Sequence, residues 1–227
     1  MPQIYANNDG YAIHYGSSWT DARKGTPANT ASSSSVNYSM RVTAGAGRGG
    51  GLWSVSRSFF SFDIPGSIYH KPESAKLRIK GHTTTSGDVI AVASDYSGSV
   101  STDDFDNITD ADTAFGLTDG SGTGTFVGQV PTYSLATSSW STDWNTITLN
   151  DTALMDISQA GSEEGVFRVC LMNYTYDYLD DSLPAGLGGA TNIKACGARY
   201  SSSAGTSSDP YLLYTIGREA IFMGANF

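Results

Sequence analysis

Ser58-Phe59-Phe60-Ser61-Phe62-Asp63-Ile64 is the stretch that decides the fold class. In an extended strand alternate side chains point to opposite faces, so Phe60, Phe62 and Ile64 share one face. Pro65-Gly66 follows at once, and this pair is typical of a turn because proline fixes φ and glycine permits positive φ. The stretch therefore predicts a strand with an apolar face that ends in a turn.

Two other segments continue the strand pattern. Ala75-Lys76-Leu77-Arg78-Ile79-Lys80 alternates apolar and basic residues, which predicts a half-buried strand whose basic face lies in water. Val166-Phe167-Arg168-Val169-Cys170-Leu171-Met172 is apolar on both faces except at Arg168, which is typical of a central strand. Further strands are predicted at 10–15, 36–43, 88–94, 125–130, 144–149, 192–200 and 210–216, and long loops at 16–35 and 44–51.

Helix signals are scarce. The one predicted helix is Asp151–Ser158, where Asn150 or Asp151 can cap the first turn. About ten strands with at most one short helix predict an all-β chain, a single two-sheet antiparallel jelly roll or β-sandwich. We assign it residues 1–216, followed by an apolar C-terminal tail, residues 217–227.

Charge is unevenly distributed, which leaves two smaller domains as an alternative. Residues 1–94 contain nine basic and five acidic residues, whereas residues 95–227 contain four and 17. No linker separates the two halves, so we favour one sandwich with acidic late strands and loops.

Composition excludes several classes of protein. The 227 residues carry a net charge of −9, which argues against a nucleic-acid partner because such proteins show a basic footprint. No apolar run reaches the roughly 18 residues that a membrane-spanning helix needs. A hydrophobic content of 39% is too high for a disordered chain. The N-terminus shows no signal peptide, so Cys170 and Cys196 are expected to be buried thiols rather than a disulfide.

No catalytic motif is present. The sequence lacks a G-x-S-x-G elbow, an H-E-x-x-H motif, a P-loop and paired C-x-x-C motifs, and His14, His70 and His82 are scattered. We therefore expect a protein that is not an enzyme and has no cofactor or metal. Five aspartates between Asp103 and Asp112 leave calcium as an alternative, but the EF-hand spacing is absent and a solvated loop is favoured.

A run of tyrosines and aspartates is a candidate ligand site. Strand alternation would place Tyr174, Tyr176 and Tyr178 on one face beside Asp177. Tyrosine rings cover the apolar C–H faces of sugars, and carboxylates accept hydrogen bonds from sugar hydroxyls. The same residue types suit a protein interface. They also suit packing under a neighbouring loop, and the sequence leaves all three readings open.

The apolar tail is a candidate partner-binding segment. Residues 217–227 contain Ile221, Phe222, Met223 and Phe227, whereas chain ends are usually polar and frayed. An apolar terminal segment is expected to be covered, either by its own domain or by a partner subunit. We expect it to dock on a neighbouring subunit, which predicts a homo-oligomer.

The order of these segments resembles a known family. The similar segments are Asp9-Gly10-Tyr11, Arg57–Ile64 in the form R-x-x-x-x-F-D-[LI], Ala75–Ile79, and Ser208–Leu212 after Tyr200-Ser201-Ser202. Together they resemble the DNRLRE-type jelly-roll domains over about residues 9–216. Tyr133-Ser134 and Trp144–Asn150 are similar to the variant common in tailed-phage virion proteins.

This resemblance implies a non-catalytic module. It implies a virion structural or interaction protein of a bacteriophage, either a capsid decoration, a fibre or a tail-associated subunit, made in the host cytoplasm. Its expected partners are other virion subunits or copies of itself. The alternative function is a stand-alone carbohydrate-binding or adhesion module that uses the tyrosine patch and binds surface glycans.

Overall fold

The computed structural model describes residues 1–24, 27–33, 37–46, 52–85, 87–111, 124–137, 139–163, 165–181, 191–199 and 208–217. Its strands are antiparallel and helices are few, which confirms the prediction of an all-β sandwich. In chain order the strands of the described residues are β1 (Gln3–Tyr5), β2 (Asn8–Gly16), β3 (Thr30–Ser32), β4 (Asn37–Ala46), β5 (Leu52–Asp63), β6 (Ser74–Thr85), β7 (Val89–Ala93), β8 (Trp144–Thr148), β9 (Val166–Asn173), β10 (Thr191–Arg199) and β11 (Tyr211–Thr215).

Strand β6 connects two sheets. Its first part pairs with β11 on one edge and β8 on the other, which gives sheet A the strand order β1-β11-β6-β8. Its last part pairs with β10, which belongs to sheet B. In sheet B, β10 pairs with β4, and β5 pairs with β4, β2 and β9. Strand β3 pairs with β2, and β7 pairs with β9.

Sheet B is buried on both faces, because two apolar clusters lie on either side of it. Phe60 and Phe62 of β5 pack between the sheets with Leu77 of β6, as the alternation of the sequence predicts. The neighbouring Phe59 points to the other face, where it packs with Phe105 and Phe126 from an irregular layer. The prediction that residues 166–172 form a central strand is confirmed, since β9 lies between β5 and β7.

Helix α2 (Asp151–Ser162) begins where the sequence predicts a helix. The Asn150 side chain accepts a hydrogen bond of 3.1 Å from the Ala153 N–H, so Asn150 caps the first turn. Leu154 and Ile157 lie one turn apart and are buried against the core between the sheets.

The expectation of at most one short helix is wrong. A second helix, α1 (Trp19–Lys24), lies in the stretch predicted as a loop. Its six residues are too few for an apolar repeat to be recognised. The helix is held instead by a hydrogen bond of 3.1 Å from the Asp21 N–H to the Ser18 hydroxyl and by burial of Ala22 and Arg23.

The strand predicted at 125–130 is also wrong. This segment is a turn in which the N–H groups of Gln129 and Val130 donate to the Phe126 carbonyl oxygen, at 3.0 and 3.3 Å. Gly128 takes a φ of +73°, a conformation that glycine permits and that ends an extended strand. The turn places Phe126 in the layer that covers sheet B.

Candidate functional site

On the outer face of sheet A the described side chains are exposed or half-buried. Alternation along β6 buries Ala75, Leu77 and Ile79 between the sheets. The intervening side chains, Lys76, Arg78 and Lys80, are half-buried on the outer face. Because the irregular layer covers the outer face of sheet B, the outer face of sheet A is the strand surface of the described residues on which a ligand can lie.

Three aromatic rings lie together on this surface. Tyr5 of β1 pairs with Tyr211 of β11, and their ring centroids are 5.8 Å apart. Trp144 of β8 meets Tyr211 edge to face at 5.2 Å. Tyr211 pairs with Arg78 of β6, and the guanidinium group of Arg78 lies over the Trp144 ring. We call these three rings, together with Lys76, Arg78 and Lys80, the aromatic face.

The cations of the aromatic face are only partly neutralised. The guanidinium carbon of Arg78 and the ammonium nitrogen of Lys80 lie 5.8 and 5.9 Å from the centre of the Trp144 ring. Lys80 also pairs with Asp143 at 2.6 Å, and its hydrogen bond lowers the pKa of that carboxyl group. Among the described residues no carboxylate pairs with Arg78 or Lys76. The face is therefore locally cationic on a chain of net charge −9.

This arrangement suits recognition of an extended ligand. Aromatic rings fixed on three strands of one sheet offer apolar surfaces for the C–H faces of sugar rings. The Nε of Arg78 is buried and has no hydrogen-bond partner among the described residues. The exposed Thr146 and Thr148 beside it add hydroxyl groups. The aromatic face thus combines stacking surfaces with charged and neutral hydrogen-bonding groups.

The structure does not form the predicted tyrosine strand. Residues Tyr174–Tyr178 form a π-helical turn, in which the Asn173 side chain accepts a hydrogen bond from the Tyr176 N–H. Tyr176 and Tyr178 are buried in the cluster on the outer side of sheet B. The rings of Tyr174 and Tyr178 stack at 5.8 Å because the turn, unlike a strand, brings them together. Of the three alternatives for these tyrosines, this geometry supports packing against the rest of the chain.

Asp177 is likewise an interior residue. Its carboxylate is fully buried and accepts two hydrogen bonds of 2.8 Å from Arg57, from Nε and from Nη2. Its backbone carbonyl oxygen accepts from Arg23 Nη2 at 2.7 Å. A sugar hydroxyl would have to break this ion pair to reach the carboxylate, so Asp177 is poorly placed to bind a ligand. We call Arg23, Arg57 and Asp177 the buried ion cluster.

Every nitrogen of the Arg57 guanidinium group donates a hydrogen bond. Nη1 donates to the Phe105 carbonyl oxygen at 2.9 Å and Nη2 to that of Arg23 at 3.0 Å. The guanidinium carbon lies 4.1 Å from the Phe105 ring centre and 5.0 Å from that of Phe126. Arg57 thereby joins β5, α1 and the irregular layer around one carboxylate.

The predicted partner-binding residues cannot be placed in the fold. Ile221, Phe222, Met223 and Phe227 lie outside the described residues, which end at Gly217. The docking role of the apolar tail stays a prediction.

The acidic segment after Ser101 serves partly as a cap. Ser101 is the N-cap of a single turn of 3-10 helix, Thr102–Asp104, and Asp104 completes the capping box by accepting a hydrogen bond of 2.7 Å from the Ser101 N–H. Asp104 also accepts a hydrogen bond of 2.7 Å from the Asn107 side chain. Asp112 lies outside the described residues. Within the part of the chain that the structure describes, no three His, Cys, Asp or Glu side chains are grouped to hold a metal ion. No described helix is long and apolar enough to cross a membrane.

Cys170 is a free, buried cysteine. Burial raises the pKa of its thiol, which therefore stays protonated at neutral pH. The side chain of Cys196 lies outside the described residues, although its backbone pairs with Met40 of β4.

His14 is expected to make folding stability pH-dependent. Partial burial of the imidazole ring, whose centroid lies 5.7 Å from that of the Phe105 ring, lowers the pKa of His14 below the ordinary value. The unfolded state then takes up the proton more readily, so stability falls as the pH decreases from about 7.5 to about 5.5. In His14→Gln the fall in Tm over this range should be smaller than in the wild type. Thermal unfolding at both pH values checks this, and equal falls would contradict it.

Sequence reasoning missed the aromatic face as a site. The sequence signal for this face is the set of basic residues that alternate with apolar ones in Ala75–Lys80. By itself, that alternation predicts only a solvated strand face. No protein-family model matches the chain, and no curated protein sequence matches it. The assignment of a function therefore depends on the geometry of the aromatic face.

Proposed function

We propose that the chain is a non-catalytic carbohydrate-binding module and that the aromatic face is its binding surface. The observation that carries this proposal is the placement of Tyr5, Tyr211 and Trp144 on one sheet face, beside two cations that pair with no carboxylate among the described residues. Sugar rings would stack on the aromatic side chains, while hydroxyl and acidic groups would meet Arg78 and Lys76. In this proposal the aromatic face, and not residues 174–178, binds the glycan.

Trp144→Ala should weaken glycan binding at least tenfold, because it removes the largest ring of the aromatic face. Tenfold corresponds to about 1.4 kcal/mol, a modest value for one stacking side chain. A glycan array of neutral and acidic polysaccharides identifies the ligand, and calorimetry then compares the dissociation constants. Thermal unfolding of the variant establishes that it is folded.

Tyr69→Ala is the matched control. Tyr69 is 51% exposed and lies on the connection between β5 and β6, away from the aromatic face. It should bind like the wild type. No binding to any glycan on the array, or equal binding by Trp144→Ala and the wild type, would refute the proposal.

A second proposal concerns where the module acts. We propose that it is a structural subunit of a bacteriophage virion, as the resemblance implies, and that it presents the aromatic face outward. The apolar sequence of the tail supports an assembled state, because such a segment is expected to be covered. Mass spectrometry of purified virions tests this, and so does the identity of the neighbouring genes. Neighbouring genes for polysaccharide degradation, without capsid or tail genes, would contradict it.

A further inference from the structure

Strand β8 has an open edge. It pairs with β6 on one side, where the Leu149 N–H that follows it donates to the Ala75 carbonyl oxygen at 3.0 Å. Alternate residues of an antiparallel strand face the same partner, so Asn145 and Ile147 direct their backbone groups toward β6. The backbone groups of Thr146 and Thr148 therefore point away from it. Among the described residues they have no hydrogen-bond partner.

A groove runs along this open edge. It has a volume of about 470 Å³ and lies between β8 and the segment that begins at Leu135. Leu135, which is 90% exposed, and the half-buried Ala136 supply its apolar surface along one side. An unpaired strand edge beside an apolar groove is the arrangement in which an extended segment can add as a new strand.

The apolar tail has the right composition and length to fill the groove. In an extended segment Ile221, Met223 and Phe227 would share one face, because side chains alternate. Residues 220–227 would span about 27 Å, which exceeds the roughly 17 Å of the five-residue strand β8. Ten residues follow the last described residue, Gly217.

The tail of the same copy is badly placed to reach the groove. Thr215 pairs with Ser74 and Thr148 with Lys76, so β11 and β8 end at the same end of sheet A. To reach the outer edge of β8, the tail would have to pass the connection that enters β6 and the one that leaves β8 at Asn150. Connections at one edge of a sheet do not cross, which favours the tail of another copy.

We propose that residues 220–227 of one copy add as a strand to the open edge of β8 in a second copy. The N–H and C=O groups of Thr146 and Thr148 pair with the incoming backbone, and its apolar face fills the groove. The contact is heterologous, since the tail of one copy meets the groove of the next. Repeating it produces closed rings or open filaments.

Sedimentation and light scattering of the full chain over a concentration series test the proposal. The wild type should form oligomers, and Thr146→Pro should be monomeric because it removes an outward N–H without touching the pairing with β6. The matched control is Gln3→Pro on β1, the opposite edge of sheet A. The Ala6 N–H donates to Pro210, so Gln3 also points away from its neighbour, and this variant should stay oligomeric.

Met223→Asp keeps the test decisive if Thr146→Pro fails to fold, because the substitution leaves the groove intact. It should also be monomeric and still unfold in one cooperative transition, which shows that the variant is folded. A monomeric wild type at every concentration, or oligomers that survive in folded Thr146→Pro and in Met223→Asp, would overturn the proposal.

Cysteine crosslinking identifies which copy supplies the tail. A mixture of Thr146→Cys chains and Phe222→Cys chains should give a disulfide-linked dimer on non-reducing gels, because Phe222, unlike Met223, would share the outer face of the sheet with Thr146. If the crosslink forms within one chain carrying both substitutions and not between chains in the mixture, the second-copy assignment is wrong. Glycan binding is measured separately by calorimetry, so failure of this proposal leaves the proposed function standing.

Discussion

Asp177→Ala is expected to lower the free energy of unfolding by about 3–5 kcal/mol, because it leaves a buried charge without its partner. The Arg57 guanidinium group is fully buried, and its two hydrogen bonds of 2.8 Å to Asp177 would be lost. Arg23, which is 2% exposed, would lose the same carboxylate. Urea unfolding followed by tryptophan fluorescence measures the change.

Asp180→Ala is the control for this prediction. Asp180 pairs with Arg23 at 2.7 Å, but its side chain is 39% exposed and water replaces much of the interaction. Its loss should cost about 2 kcal/mol or less, since the exposed ion pair contributes about 1 kcal/mol at most and the φ of +57° at this position is less favourable for alanine. The pair Arg57→Met with Asp177→Leu should recover part of the stability that Asp177→Ala loses, since no charge is then buried unpaired at this position. If Asp177→Ala were no less stable than Asp180→Ala, the buried ion cluster would not have the role assigned to it.

Gly81→Ala is expected to destabilise the protein by about 3 kcal/mol, at the upper end for one added methyl group, and to weaken glycan binding. A Cβ at this position would lie 1.8 Å from the Ser141 carbonyl oxygen and 2.9 Å from the Asn145 amide nitrogen. Neither can move freely, because the Asn145 side chain holds the turn by hydrogen bonds of 2.9 Å to the Ser141 N–H and carbonyl oxygen. Displacing the turn would also displace Trp144.

Gly165→Ala is the matched control, since its Cβ would meet nothing closer than the Ala160 carbonyl oxygen at 3.5 Å. It should change stability by no more than about 0.5 kcal/mol. Urea unfolding gives the stability of both variants, and calorimetry gives their glycan affinity. Wild-type stability and affinity in Gly81→Ala would show that the close approach of β6 to the turn is not required.

The local sequence pattern predicts the strands because buried and exposed side chains alternate every residue along a strand. Phe60 and Phe62 share a face by alternation, and the apolar β9 segment could be recognised as central without knowing its neighbours. The same rule wrongly predicts a strand at residues 174–178, which form a π-helical turn. Their turn depends on a residue far away, Arg57, whose partner no local pattern identifies.

The aromatic face was out of reach for a similar reason. Lys76, Arg78 and Lys80 could be placed on one exposed face from their spacing alone. The rings come from strands at opposite ends of the chain, since Tyr5 is brought beside Tyr211 by sheet pairing. Strand register between distant segments is set by tertiary packing, and one sequence does not reveal it.

The buried ion cluster has a consequence for synthesis of the protein on the ribosome. Asp177 follows Arg57 by 120 residues. At translation rates of about 5–20 residues per second it emerges roughly 6–24 s later. During that interval the phenylalanine-rich strand β5 has no β9 beside it and Arg57 has no carboxylate. The nascent chain therefore passes through a period in which chaperones can bind this phenylalanine-rich strand, and slower translation would lengthen that period.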